Sequence, residues 1–152
     1  MESTATFLRK IAAEETYQIR SEVLRPGKPV SDCHFEGDFD ENSFHLGIFQ
    51  DQRLMGVASF MKNKFQEFQD PIQFQLRGMA ILPEGRGKNF GEKLLLEGEN
   101  ILKNQYGSVL LWFNARELAV KFYEKYGYKT YGNYFMIPDV CLHIVMFKEI
   151  QK

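Results

Sequence analysis

The stretch Ile81-Leu-Pro-Glu-Gly-Arg-Gly-Lys-Asn-Phe-Gly91 runs directly into Glu92-Lys-Leu-Leu-Leu96. Before it, Gln73–Leu82 alternates and is rich in large apolar residues, which predicts a strand ending at Pro83. After it, Phe90, Leu94, Ile101 and Leu102 fall on one face of a helix predicted over Phe90–Leu102, leaving Glu92, Glu99 and Lys103 for water. A strand thus passes through a glycine-rich turn into an amphipathic helix. Glycines let backbone approach a ligand closely, and the first helical turn points unpaired N–H groups and the positive end of the dipole outward. That is an anion site suited to phosphates, and Arg86 and Lys88 add positive charge beside it.

Two familiar phosphate loops do not fit. A P-loop needs glycine five residues before Gly87-Lys88 and Ser or Thr after it, but Leu82 and Asn89 stand there. The dinucleotide fingerprint is broken by Phe90 in its last glycine position, and its unit should open the chain.

Working outward, Thr4–Lys10 reads as a first strand and Ala12–Leu24 as a helical region stopped by Arg25-Pro26-Gly27. Ser31–Asn42 reads as an acidic loop. His45–Phe49 and Leu54–Phe60 form a hairpin around Gln50-Asp51-Gln52-Arg53. Beyond the central helix come a strand over Ser108–Phe113 and a helix over Ala115–Tyr126. The helix places Leu118, Ala119, Phe122, Tyr123 and Tyr126 at helical spacing and ends at Gly127. A final hairpin, Tyr128–Met136 and Leu142–Phe147, turns at Pro138-Asp139. This order predicts a mixed α/β sheet with helices on both faces.

The chain has 152 residues, 44% hydrophobic and 26% charged, which predicts one domain, 1–152, around a substantial core. A net charge of -1 disfavours a dedicated nucleic-acid binder, and the 14 Phe and 7 Tyr sit mostly in periodic segments where packing explains them. No apolar run is long enough to span a membrane, and the acidic start does not read as a signal peptide, so a cytoplasmic protein is expected. Two cysteines, Cys33 and Cys141, are too few for a disulfide scaffold or a zinc cage, and no metal is expected. The balance hides an asymmetry. Residues 1–60 hold ten acids against six bases, and residues 61–152 ten acids against thirteen, which suits two differently charged ligands.

Arg-x-x-Asn-x-Gly at 86–91 resembles the (Gln/Arg)-x-x-Gly-x-(Gly/Ala) signature of the GCN5-related N-acetyltransferases (GNAT). The departure is Asn89, the residue type after glycine most tolerant of a left-handed backbone. Asn114-Ala-Arg-Glu-Leu-Ala-Val-Lys-Phe-Tyr-Glu-Lys-Tyr-Gly-Tyr128 looks like the family's second signature. The tail, Ile137–Met146, is similar to that of the ElaA-type subgroup, as more faintly are Arg20-x-x-Val-Leu and Phe35-Glu-Gly-Asp-Phe-Asp40.

The resemblance implies a mostly antiparallel sheet of six or seven strands, with strands 4 and 5 splayed around the pantetheine arm of acetyl-CoA. It implies that backbone of Met79, Ala80 and Ile81 lies beside the acyl group, with an N–H polarising the thioester carbonyl. Arg86, Gly87, Lys88, Asn89, Phe90 and Gly91 would wrap the pyrophosphate. Asn114 would reach the pantetheine, with Ala119 and Phe122 near the thiol end. Tyr123 matches the tyrosine that protonates the departing thiolate. A base is also needed, and His143 on the last strand and His45 on the second are the candidates. Glu36, Asp38 and Asp40 could hold a cationic amine. The implied activity is acetyl transfer from acetyl-CoA to a primary amine by direct attack in a ternary complex, the chain being a monomer or homodimer. A non-catalytic acyl-CoA-binding module, or transfer with another acyl group or acceptor, are the alternatives.

Overall fold

The computed structural model describes residues 5–137 and 141–151. Thr4, expected to begin the first strand, and Pro138 and Asp139, expected to turn the last hairpin, lie outside the described residues. Among the described residues seven strands and several helical segments form, and hydrogen bonding orders the strands β1-β2-β3-β4-β5-β7-β6. They are β1 (Thr6–Ile11), β2 (Phe44–Gln50), β3 (Arg53–Lys62), β4 (Gln73–Ile81), β5 (Val109–Arg116), β6 (Lys129–Ile137) and β7 (Cys141–Ile150). The sheet is mostly antiparallel, with β4 and β5 the parallel pair. The chain divides into two compact units. One is the chain up to Lys62 with Leu76–Ile101; the other is Asn63–Gln75 with the chain from Leu102 onward.

In the first unit, β1 pairs with β2 and β2 with β3. The β2–β3 turn puts Asp51 (φ 51°) and Gln52 (φ 73°) in the left-handed region, the geometry that matches the twist of a hairpin. The expected helix over 12–24 is tighter and looser by turns. A 3₁₀ turn, Ala13–Thr16, leads through α1 (Tyr17–Ile19) into a π-type turn, Arg20–Leu24. Alternation along β3 assigns helices to opposite faces. Ser59 bonds Arg20 of the first helical segment, while its neighbour Phe60 meets Gly98 of helix α2 (Phe90–Tyr106). A Cβ on Gly98 would overlap the Phe60 ring, so the helix lies against the strand because residue 98 has no side chain. Leu94 and Leu95 are fully buried on the same helix, each contributing about 1.5–3 kcal/mol of burial.

In the second unit, Gln73–Gln75 of β4 pair in parallel with Leu110–Trp112 of β5. β5 runs antiparallel to β7, and β7 to β6. Segment 63–72 is tied down by Gln73, whose amide accepts from the Phe65 N–H (2.8 Å) and donates to the carbonyls of Phe68 (3.1 Å) and Asp70 (2.9 Å). Trp112 Nε1 donates to the Asn63 carbonyl (2.8 Å), and Phe65 packs on the Trp112 ring. β5 is longer than the sequence reading placed it. Asn114, Ala115 and Arg116 stay extended because they pair with Val145, Ile144 and His143. The following helix is correspondingly short, a 3₁₀ turn (Glu117–Ala119) and α3 (Val120–Glu124). Leu118, expected on its apolar face, is 96% exposed and belongs to no core.

Candidate active site

The turn after β4 has the backbone expected of an anion cradle. Gly87 (φ 79°) and Asn89 (φ 63°) are both left-handed, so asparagine holds the conformation for which the resemblance would have glycine. Gly87 opens onto free space. At Gly85, by contrast, a Cβ would meet Phe90 at 2.9 Å and Ile81 at 3.1 Å, so the loop closes tightly onto the buried first residue of α2. The Lys93 N–H bonds the Asn89 carbonyl (3.1 Å), which makes Asn89 the residue that caps the helix. Helix geometry then leaves the N–H groups of Phe90 and Gly91 without an intrahelical carbonyl, at the positive end of a 17-residue helix. Arg86 and Lys88 are exposed beside them, and Lys88 Nζ donates to Gln50 Oε1 (3.0 Å).

The same unit holds a polar network that sequence reasoning missed. Arg20 has no solvent exposure. Its Nη1 donates to the carbonyl of Cys33 (2.9 Å) and to Asp38 Oδ2 (2.8 Å); its Nη2 donates to Asp38 Oδ1 (3.0 Å) and Ser59 Oγ (2.8 Å). Only Nε lacks a partner. Ser59 Oγ also pairs with His45 Nδ1 (2.7 Å), while His45 Nε2 donates to the carbonyl of Asp38 (2.9 Å). Both ring nitrogens of His45 are thus engaged inside the protein.

The expected roles of Asp38 and His45 are corrected by this arrangement. Asp38 does not face a substrate amine from a solvated loop; it is 4% exposed and held by two Arg20 nitrogens and the Phe35 N–H (2.8 Å). Burial raises its pKa, but those hydrogen bonds and the Arg20 charge outweigh burial and hold the carboxyl below its usual value. Glu36 and Asp40 do lie exposed. The signal that could have found the network is a set of lone polar residues in apolar surroundings: Arg20 in a helical segment, Ser59 and His45 in strands.

In the second unit, Tyr123 of α3 packs on Phe113 of β5 with ring centroids 4.2 Å apart. Burial pushes its phenol up to about 12. Ala119 and Phe122 are half-buried on the same segment, and Phe122 makes an edge contact with Tyr123. His143 is 5% exposed, and its Nδ1 donates to the Cys141 carbonyl (2.8 Å). A carbonyl only accepts, so the neutral ring carries its proton on Nδ1 and its lone pair on Nε2. Cys141 and His143 share a strand face, yet the bond runs to the backbone of residue 141 and not to its thiol. Phe135 stacks on the imidazole at 6.0 Å and also lines a pocket of about 270 Å³ with Phe65, Glu67, Asn114, Tyr131 and Val145. Asn114 is thus an exposed polar group in a pocket wall that also carries Phe65, Tyr131 and Phe135. Tyr131 is oriented there by donating to Glu67 (3.2 Å).

A family model described as an acetyltransferase (GNAT) domain matches residues 11–150. The chain belongs to the GNAT acetyltransferase family. The match spans both compact units. Among curated proteins this GNAT chain is 36% identical over 144 residues, 95% of its length and 96% of the other's, to an uncharacterized N-acetyltransferase, YitI, of Bacillus subtilis. Among solved structures it is similar to Escherichia coli ElaA, with a TM-score of 0.74 at 14% identity over 95% of this chain and 99% of that one. It is also similar to a PaiA N-acetyltransferase from Thermoplasma acidophilum solved with coenzyme A, with a TM-score of 0.68 at 19% identity over 95% and 99%. At those identities the structural likenesses establish the GNAT fold. Among the described residues no helix is long and apolar enough to cross a membrane.

Proposed function

We propose that this GNAT protein moves an acetyl group from acetyl-CoA to a primary amine by direct attack in a ternary complex. The observation that carries the reading is the turn at 86–91, where left-handed Gly87 and Asn89 lead into the open N-terminus of α2 between Arg86 and Lys88. Backbone amides, a helix dipole and two mobile cations suit the pyrophosphate of coenzyme A. The acyl group would lie along Met79, Ala80 and Ile81, where a backbone N–H would polarise the thioester carbonyl.

The chemistry needs a base, since an amine with an ordinary pKa near 10.4 is mostly protonated at neutral pH. His143, with its lone pair on Nε2, would take that proton directly or through water. The neutral amine nitrogen then bonds the carbonyl carbon and gives up its second proton to water, the carbon–sulfur bond breaks, and the thiolate departs hydrogen-bonded to Tyr123 before taking a proton from solvent. With its pKa pushed up to about 12, Tyr123 stays protonated throughout the working range. Full transfer of that proton to a thiolate whose conjugate acid has a pKa near 8.5 is uphill, so Tyr123 keeps it and serves by hydrogen bonding to the developing charge. Asn114, Ala119 and Phe122 would contact the pantetheine arm.

Two measurements test the reading together: calorimetry with acetyl-CoA, and free-thiol release across a panel of amines. Submicromolar to submillimolar binding with amine-dependent thiol release is expected. Absence of acetyl-CoA binding overturns it. Binding with no thiol release from any amine, or release only with longer acyl-CoAs, assigns the chain to the acyl-CoA-binding or alternative acyltransferase reading.

A further inference from the structure

The first unit holds a cation that its own fold does not neutralise. Arg77 of β4 is half-buried, and its guanidinium lies 4.5 Å from the centre of the Phe35 ring. Arg20 lies 3.9 Å from the same ring. Asp38 is already claimed by Arg20 through two hydrogen bonds, and among the described residues no carboxylate comes within ion-pair distance of Arg77. The charged groups around it are Arg20 and Arg25, which repel, and Asp38 and Glu36, which attract; Glu36 is exposed to solvent. Burial, and after it the repulsion from Arg20, holds the Arg77 guanidinium below its usual pKa. A stacked, part-desolvated guanidinium without a counter-ion is unfavourable on its own, and its planar fork matches a carboxylate.

The position of Arg77 in the chain adds the second observation. The next residue, Gly78, is left-handed (φ 64°) inside a strand, and a Cβ there would meet the Phe35 ring at 2.6 Å and Arg20 Nε at 3.3 Å. Phe35 therefore covers the strand at 78 and fixes the Arg77 side chain by stacking. Met79 follows within about 7 Å of strand, the beginning of the segment assigned above to the acyl group. An amine attacking there would bring any carboxylate close to it within reach of Arg77.

We propose that Arg77 binds a carboxylate on the acceptor, so that the substrate is an amino acid or a similar short amine-bearing acid. This rests on the acetyl-transfer reading and reverses the lean toward a cationic amine drawn from the acidic loop. The test uses matched pairs that differ by the carboxylate: L-phenylalanine with phenethylamine, L-methionine with 3-(methylthio)propylamine, L-lysine with cadaverine, and γ-aminobutyrate with propylamine. At least one acid should exceed its decarboxylated partner tenfold or more in kcat/KM. Arg77→Gln should erase that preference through a rise of tenfold or more in the amino-acid KM, with kcat and the acetyl-CoA KM held within about twofold. Arg77→Lys, which keeps the charge without the fork, should fall between.

Equal or better use of the decarboxylated partner by the wild type overturns the proposal. So does a preference that survives Arg77→Gln, or a rise in the coenzyme A Kd that shows Arg77 serving the other substrate. Calorimetry with the four acids, on the protein alone and saturated with coenzyme A, separates this from the reading beneath it. If acetyl-CoA binds but no amine is acetylated, binding of an acid weakened tenfold in Arg77→Gln sustains the Arg77 site, and no acid binding refutes it. Circular dichroism confirms that each variant is folded.

Discussion

Tyr123 and Asp38 are both raised by burial, yet their pKa values shift in opposite directions, because at Asp38 the hydrogen bonds and charge of Arg20 outweigh burial. Desolvation raises the Tyr123 phenol and keeps it neutral. Tyr123→Phe is expected to lower kcat by roughly 10²-fold with little change in the acetyl-CoA KM, checked by steady-state thiol release. Because the phenol titrates only near pH 12, the wild-type rate should show no alkaline decline attributable to it up to about pH 10.5. A falling limb near pH 9 that disappears in Tyr123→Phe would contradict that. Asp38 instead is lowered by its hydrogen bonds to Arg20 and Phe35 in spite of burial. Its contribution is therefore present above the unfolded carboxylate pKa and is lost as pH falls through the lower folded value. Asp38→Ala strands a buried guanidinium and should cost about 3–5 kcal/mol, read from chemical denaturation at pH 7. It should also flatten the acid side of the stability profile.

Helix α2 and the turn before it were legible in sequence because their determinants are local. Apolar spacing over Phe90–Leu102 selects a helix face, and Gly85, Gly87 and Asn89 mark a turn. Position 89 gives a clean experiment on that turn. Asn89→Gly keeps access to the left-handed backbone, while Asn89→Ala loses it, and both remove the side chain. Coenzyme A affinity should survive the first change and weaken in the second, with about 1 kcal/mol less stability in the alanine variant. Gly98 is a second test, in which two effects oppose each other. Alanine gains about 1 kcal/mol in helix propensity. Overlap with the Phe60 ring costs about 1–3 kcal/mol, so Gly98→Ala is expected to lower the Tm. Adding Phe60→Leu to make room should restore part of the loss. The end of β5 was not legible, because Asn114, Ala115 and Arg116 suit the start of a helix locally and are kept extended by β7.

For the whole molecule, coenzyme A should act as a folding ligand. At a hundred times its Kd the stabilisation is about 2.7 kcal/mol, which for a chain of this length raises Tm by about 5–10 °C. Arg86→Ala with Lys88→Ala should shrink that rise while leaving the ligand-free Tm nearly unchanged, since both side chains are exposed. The charge asymmetry between the two halves of the chain is not a division between two ligands in any simple way. Asp38, one of the acids that made the front half negative, is consumed by Arg20, and Arg77 from the basic half packs against the Phe35 loop. The sequence by itself determined what depends on neighbours along the chain: strand alternation, the helix face, the left-handed turn and the two motifs of the family. Only the tertiary structure decided which side chains neutralise one another. Arg20 finds Asp38 18 residues away and Ser59 39 residues away. Such pairings follow from strand register and loop closure, and among the described residues they give Arg77 no carboxylate within ion-pair distance.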